Sequence, residues 1–332
     1  MALAATVMLV GACGGNNDSS STPDVPTVTP ATASPAPSGP GPAPDGLVVP
    51  VPAGSADVVA SGARVAILGA DRTSVLLRSG AQPDAASASV TTPPLNAIAA
   101  GADGGFVGAG SGAIVRIGPD NRVTTHPIAS RDVLSVASAP DERILVGTAD
   151  GHLLVYSPGA DGAQARLVRD IGGFVRVDEI TVSPAADHQV VVLDRAQSSV
   201  TPVDLADGTL GAALRAGNGA TNSTVDRYGR VLVANTRDGE ILGFYGQPLV
   251  MRFRYPVSGG PYAVDYDDTR NLLWVSTTAN NEVVAYDLSS GEPTERFRHA
   301  TVGQPDSITV DSSGALYVLS ARSGQLQIIA PG

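Results

Sequence analysis

Asn96, Asp132, Asp178 with Glu179, Thr221 with Asn222, Tyr262, and Asp306 with Ser307 recur at intervals of roughly forty residues, and nearly all of them offer oxygen. Gathered in one place, such carboxylates and amides could hold a hard cation such as Ca2+, which takes about 6–8 oxygen ligands, or hydrogen-bond a polar ligand. Other residue sets make a weaker case for chemistry. His126, His152, His188 and His299 show neither HxH nor HxxxH spacing and read as ordinary surface or turn residues. The glycine-rich run from Gly104 to Gly112 contains neither GxSxG nor a dinucleotide fingerprint and opens no helix, so it reads as a hairpin of small residues. Asp265, Asp267 and Asp268 invite a calcium reading, but their place in a repeat makes them turn caps.

Composition removes whole classes of mechanism. All 21 basic residues are arginine, so Schiff-base chemistry, a phosphate-loop lysine and a lysine base are excluded. A genome of high GC content accounts for the bias. The formal charge of −11 opposes binding to nucleic acid and to anionic lipid headgroups. With one cysteine, Cys13, no intrachain disulfide can form, and an exported domain must rely on its core.

Cys13 closes the run Leu9-Val10-Gly11-Ala12-Cys13, directly after a short apolar stretch. The run resembles a bacterial lipobox, in which small residues flank the bond cut before a cysteine that carries a diacylglycerol thioether. Leu3 to Val10 falls well short of the roughly 20 apolar residues that span a bilayer and suits the core of a signal peptide, here residues 1–12. The opening Met1-Ala2-Leu3-Ala4 lacks the usual Arg or Lys, which places the expected start codon upstream. The mature chain is expected to begin at Cys13 and to be lipid-anchored, through acyl chains such as palmitate, on the extracytoplasmic side of the cell membrane. Each buried methylene adds about 0.8 kcal/mol to such an anchor.

Residues 13–45 follow as a linker. Eight prolines lie among Ser, Thr, Gly and Ala between Gly14 and Asp45, with almost nothing apolar enough to bury, so the segment is expected to be disordered.

After residue 46 the chain repeats. Val225-Asp226-Arg227-Tyr228-Gly229-Arg230-Val231-Leu232-Val233 and Val310-Asp311-Ser312-Ser313-Gly314-Ala315-Leu316-Tyr317-Val318 both read strand, tight turn, strand. The second strands of successive units open near Val65, Gly105, Ile144, Val190, Val231, Leu273 and Leu316, at spacings of 40, 39, 46, 41, 42 and 43 residues. A period near 42, with several short strands per unit and no helical pattern between them, predicts an all-β fold: a seven-bladed β-propeller over residues 46–332. Asp150-Gly151, Asp238-Gly239, Asn280-Asn281 and Ser323-Gly324 supply tight turns between second and third strands. The last unit ends soon after Leu326-Gln327-Ile328-Ile329, one strand short, while Leu47 to Val51 precedes the first unit without a partner. The N-terminal strand is therefore expected to close the ring as the outer strand of blade seven, an edge position that tolerates Pro50. In this architecture innermost strands begin at the mouth of a central funnel, which is what would bring Asn96, Asp132, Asp178, Glu179, Asn222, Tyr262 and Asp306 together.

Gly260-Pro261-Tyr262-Ala263-Val264-Asp265, Leu273-Trp274-Val275-Ser276 and Asn281-Glu282-Val283-Val284-Ala285-Tyr286-Asp287 resemble the repeat of YVTN and NHL-type propellers, and Gln304-Pro305-Asp306-Ser307-Ile308-Thr309-Val310-Asp311 resembles the next copy. The resemblance is good over the last three blades and faint in the first two. With the lipobox and the absence of lysine, it is similar to an actinobacterial lipoprotein of the mycobacterial type. It implies a fold and a location, while such propellers serve as binding scaffolds, metal-dependent lactonases and lyases. The leading expectation is a non-catalytic binding or assembly module for a peptide, glycan or protein partner. The alternatives are a Ca2+-dependent lactonase or hydrolase of the SMP-30/gluconolactonase type using the funnel acids, then a lyase or redox-cofactor propeller. If Cys13 carries the membrane attachment, Cys13→Ala moves the protein from the membrane to the soluble fraction on ultracentrifugation; a variant that still sediments with membranes refutes the anchor.

Overall fold

The computed structural model describes residues 32–331 other than 158, 161–162 and 186–187. Cys13, the signal peptide 1–12 and most of the linker lie outside the described residues. Among those described there is no helix, and the strands form seven four-stranded antiparallel sheets. Each sheet is one blade. Second strands begin at Arg64, Phe106, Ile144, Val190, Val231, Leu272 and Leu316, each within one residue of the position marked by the repeat.

The core is divided in the same way. Seven apolar clusters each fill the wedge between two neighbouring blades: Ala263, Trp274 and Val283 of blade six, for example, meet Ile308, Leu316 and Val318 of blade seven. A middle strand is thus buried on both faces, which is why Val190-Val191-Val192-Leu193 and Leu316-Tyr317-Val318-Leu319 are continuously apolar rather than alternating.

The repeated acidic residue between first and second strands is a turn device. Asp226 accepts from the backbone N–H groups of Tyr228 and Arg230 at 2.9 and 2.8 Å, and Asp311 does the same for Ser313 and Ala315 at 2.8 and 3.1 Å. Asp267 receives the N–H groups of Thr269 and Arg270, both at 3.0 Å. Short carboxylates serve here because they reach backbone donors two to four residues on and hold the turn closed.

Ring closure follows the expectation. Leu47–Pro50 pairs antiparallel with Gln325–Ile329, in the register Leu47↔Ile328 to Pro50↔Gln325, and completes blade seven. Val51 continues the contact by donating its N–H to Gly324 O at 3.0 Å. Gly46 sits at positive φ, where a Cβ would lie 2.4 Å from Ile328 O, so the entry to this strand requires glycine.

The chain before that strand has no regular secondary structure over residues 32–44, yet it touches the propeller. Asp45 donates its N–H to Ala300 O at 3.0 Å, and Gln327 Nε2 donates to Asp45 O at 2.6 Å. The hold on the ring therefore begins before residue 46.

Deleting residues 46–52 removes several half-buried aliphatic side chains and uncovers the edge at Gln325–Ile329. The expected loss is about 3 kcal/mol, or a fall in Tm of roughly 6 °C, with association through the bare edge visible by gel filtration. A monomeric variant with unchanged Tm would assign Leu47–Pro50 no part in closure.

Candidate functional site

The seven innermost strands, Asp57–Ser61, Ala97–Ala100, Val133–Ser138, Glu179–Val182, Ala220–Val225, Pro261–Asp267 and Ser307–Val310, surround a central funnel of about 680 Å³. Asn96, Asp178, Glu179, Asn222, Tyr262 and Asp306 all line it. Asp132 does not. It is exposed in the loop before Val133, and its carbonyl accepts from Ala149 N at 2.8 Å, so the funnel face of blade three is supplied by Leu134, Ser135 and Val136 instead. The sequence places Asp132 at the start of the inner strand, but it lies two residues short of Leu134, the first residue of this blade on the wall.

The polar residues are committed to one another and to neighbouring blades. Asn96 Nδ2 donates to Val133 O at 3.0 Å, joining blade two to three, and Ser135 Oγ donates to Val177 O at 2.9 Å, joining three to four. That approach is close enough to require Gly147, where a Cβ would fall 2.2 Å from Ser135 Oγ. Ser223 Oγ donates to Glu179 Oε2 at 2.8 Å between blades five and four, and Asn222 Nδ2 donates to Tyr262 O at 2.9 Å between five and six. Val310 N and Thr309 Oγ1 donate to Asp265 Oδ2 at 2.8 and 3.0 Å between seven and six. Ser307 Oγ donates to Asp57 Oδ1 at 2.6 Å and so links blade seven to one.

Two arginines pair with the acids of blade four. Arg176 grips Asp178 through Nε and Nη2, at 3.1 and 2.9 Å to Oδ1. Arg195, from the turn after the second strand of blade four, donates through Nη2 to Glu179 Oε1 and Asn222 Oδ1, both at 2.9 Å, while its N–H donates to Asp178 Oδ2 at 2.9 Å. Its Nε is buried without a hydrogen-bond partner. Burial pushes Glu179 above the usual carboxylate range against the pull of Arg195, and burial likewise raises Asp57 and Asp306. Tyr262 is raised by burial as well.

Sequence reasoning missed Arg72, Arg176, Arg195, Asp57 and Asp265 in this wall. Arg195 lies in a turn, and nothing in its neighbours' types signals that it points to the axis. Asp265 reads as a turn cap beside Asp267 and Asp268, but it sits within Pro261–Asp267 and faces the funnel, while the capping role belongs to Asp267.

A bound Ca2+ does not fit this donor set. Asp57, Asp178, Glu179, Asp265 and Asp306 each accept from protein donors, two guanidinium groups stand among them, and no cluster of three or more His, Cys, Asp or Glu suited to a metal exists among the described residues. A hard cation would have to displace arginines from Asp178 and Glu179 and leave those charges unpaired.

No family model and no curated protein matches the sequence. In three dimensions the chain is similar to a streptogramin B lyase, with a TM-score of 0.68 at 12% identity over 86% of this chain and 97% of that one. It is similar also to a catalytically inactive histidine-to-alanine variant of virginiamycin B lyase from Staphylococcus aureus with quinupristin, at 0.69, 10%, 86% and 99%. A chain of the Mitotic Checkpoint Complex matches at 0.70 and 12% identity over 87% of this chain and 94% of that one. The likeness is one of fold.

Asp265 supplies a pH test. Burial raises its pKa from the ordinary 3.8 to about 6, outweighing the hydrogen bonds from Val310, Tyr266, Thr309 and Thr224. Between about pH 4 and 6 the folded state binds the extra proton, so stability falls as pH rises. The contribution is complete below about pH 4 and is lost through pH 6, by up to about 3 kcal/mol. In denaturant unfolding, the advantage of the parent over Asp265→Asn should shrink from pH 4 to pH 7; a constant difference would mean an ordinary carboxylate.

Proposed function

We propose that the chain is a non-catalytic binding module, held by lipid on Cys13 at the extracytoplasmic face of a cell membrane, whose funnel face takes a peptide, glycan or protein partner. The engagement of the funnel carboxylates carries this reading. A general base or nucleophile must be free to meet substrate, yet Asp178 and Glu179 are paired with Arg176, Arg195 and Ser223, Asp57 and Asp265 are tied to their own and neighbouring inner strands, and Asp306 accepts the N–H of Ala321. An open, polar funnel whose groups are already ordered suits recognition, because little freedom is lost when a ligand binds.

A lyase is less well supported. One similar lyase structure is inactive with a histidine replaced by alanine, whereas no described histidine of this chain lines the funnel. His126, His152, His188 and His299 are turned to Ala163 O, Asp170, Ser183 O and Asp45. The same fold occurs in the Mitotic Checkpoint Complex, so it hosts assembly as well as catalysis. The lipid anchor rests on Cys13 and the residues before it, and the net charge of −11 favours no nucleic-acid partner.

Calcium separates the binding module from the hydrolase. A cation bound only by the folded state stabilises it by about 2.7 kcal/mol at a hundredfold excess over Kd. The expected result is no calcium-dependent rise in Tm and no hydrolysis of lactones above background. A rise that Asp178→Asn and Asp306→Asn both abolish, accompanied by lactone turnover, would transfer the assignment to the hydrolase.

A further inference from the structure

Residues 33–41, Ala33-Ser34-Pro35-Ala36-Pro37-Ser38-Gly39-Pro40-Gly41, cross the end of the propeller where the inner strands begin. Each proline biases the residue before it away from helix, and this biases Ser34, Ala36 and Gly39 towards the polyproline II region. Such a helix turns once in three residues, so positions 33, 36 and 39 share a face. Ala33 and Ala36 turn that face to the ring, while Gly39, whose side-chain position is open to solvent, meets it through its carbonyl.

Ala33 lies over Gly219 at the entry to the inner strand of blade five, where a Cβ would stand 3.1 Å from Ala33 Cβ. Ala36 lies over Gly260, the corresponding position of blade six, where a Cβ would stand 2.7 Å from Ala36 Cβ. The two backbone carbonyls three residues apart are both bonded: Gln304 Nε2 of blade seven donates to Ala36 O at 2.8 Å, and Asn281 Nδ2 of blade six donates to Gly39 O at 2.9 Å. The receptor side is itself fixed, since Asn281 Oδ1 accepts the N–H of Gln304 at 2.9 Å. Between the two alanines, Pro35 faces inward and forms part of the funnel wall.

Small residues against glycines and two amide donors at a three-residue repeat amount to a peptide site. We propose that the face of blades five to seven is a binding site for extended proline-rich segments with small residues at two positions three apart, and that residues 33–41 occupy it in cis with Pro35 at the funnel wall. The ligand class follows from the contacts. Gly219 and Gly260 let the two alanine methyls approach the ring closely, the amides read main-chain carbonyls rather than side chains, and a polyproline segment is already extended, so little order is lost on docking. Covalent attachment, through the few residues that separate Gly41 from the anchored Asp45, gives the strap an effective concentration in the millimolar range, enough to exclude a micromolar competitor. The proposal goes beyond the binding-module reading, because it holds whatever the funnel accepts.

The test uses the full chain and a dye-labelled peptide of residues 32–44, followed by fluorescence anisotropy. In the unmodified chain the site is filled, and the peptide should bind weakly. Ala33→Glu with Ala36→Glu ejects the strap and should strengthen binding of the peptide by about tenfold or more, with a fall in Tm of about 3 °C because the strap no longer stabilises the folded ring. Adding Gln304→Gly, which tolerates the positive φ of Gln304 while removing the amide donor, should weaken it again by a similar factor. Ala33→Leu with Ala36→Leu ejects the strap by size alone and replaces the glutamate pair where charge impairs folding. Equal peptide affinity in the unmodified and strap-ejected chains, absence of binding to either ejected variant, or insensitivity to Gln304→Gly would overturn the proposal. Calcium and lactone assays test the funnel separately, so failure of one reading is distinguishable from failure of the other.

Discussion

The structure depends on closing a ring. Each blade buries both faces, and none of the seven apolar wedges is complete until a neighbour stands on its other side. A gap anywhere would expose two faces, so the antiparallel pairing of Leu47–Pro50 with Gln325–Ile329 has an effect out of proportion to its four residue pairs. The first strand in the sequence is joined to the last, which converts a linear array of near-independent units into one cooperative body.

At the centre the same constraint takes a polar form. Inner strands begin around an open funnel, and their polar ends would otherwise be left to solvent. Side chains such as Asn96, Ser135, Asn222 and Ser307 resolve this by bonding to the next blade, while Asp265 receives donors from blade seven and its own strand. Because these contacts lie near the axis, each ties neighbouring blades together where a small rotation would move the rim most. The funnel wall is therefore a structural ring first. Its acids are held partly by that ring and partly by Arg176 and Arg195, and burial without such partners would force them to take up protons.

The segment before the first strand is held by the same architecture. A stretch too poor in apolar residues to fold alone becomes ordered where it meets a surface shaped for it, with Gly219, Gly260, Asn281 and Gln304 arranged by three successive blades. The surface exists only because the ring is closed, since those residues are far apart in sequence and on separate sheets. A propeller face thus reads a peptide by the spacing of its own repeats.

Much of the fold was legible in the sequence because its signals are local. The forty-odd-residue period, the Asp of most first turns and the glycines of several second turns are set within single units, and the missing strand at one end with a spare one at the other implied closure. Position along an inner strand also brought Asn96, Asp178, Glu179, Asn222, Tyr262 and Asp306 to the funnel, but it failed for Asp132, which lies two residues short of the first wall residue, Leu134. What those groups do was decided by tertiary structure alone. Arg195 reaches Glu179 and Asn222 across sixteen and twenty-seven residues, and Asp265 meets Val310 across forty-five, so no window of sequence holds both partners. The docking of Ala33 and Ala36 was likewise invisible: composition reports that a segment cannot build a core, while the surface that receives it is assembled only when three blades stand side by side.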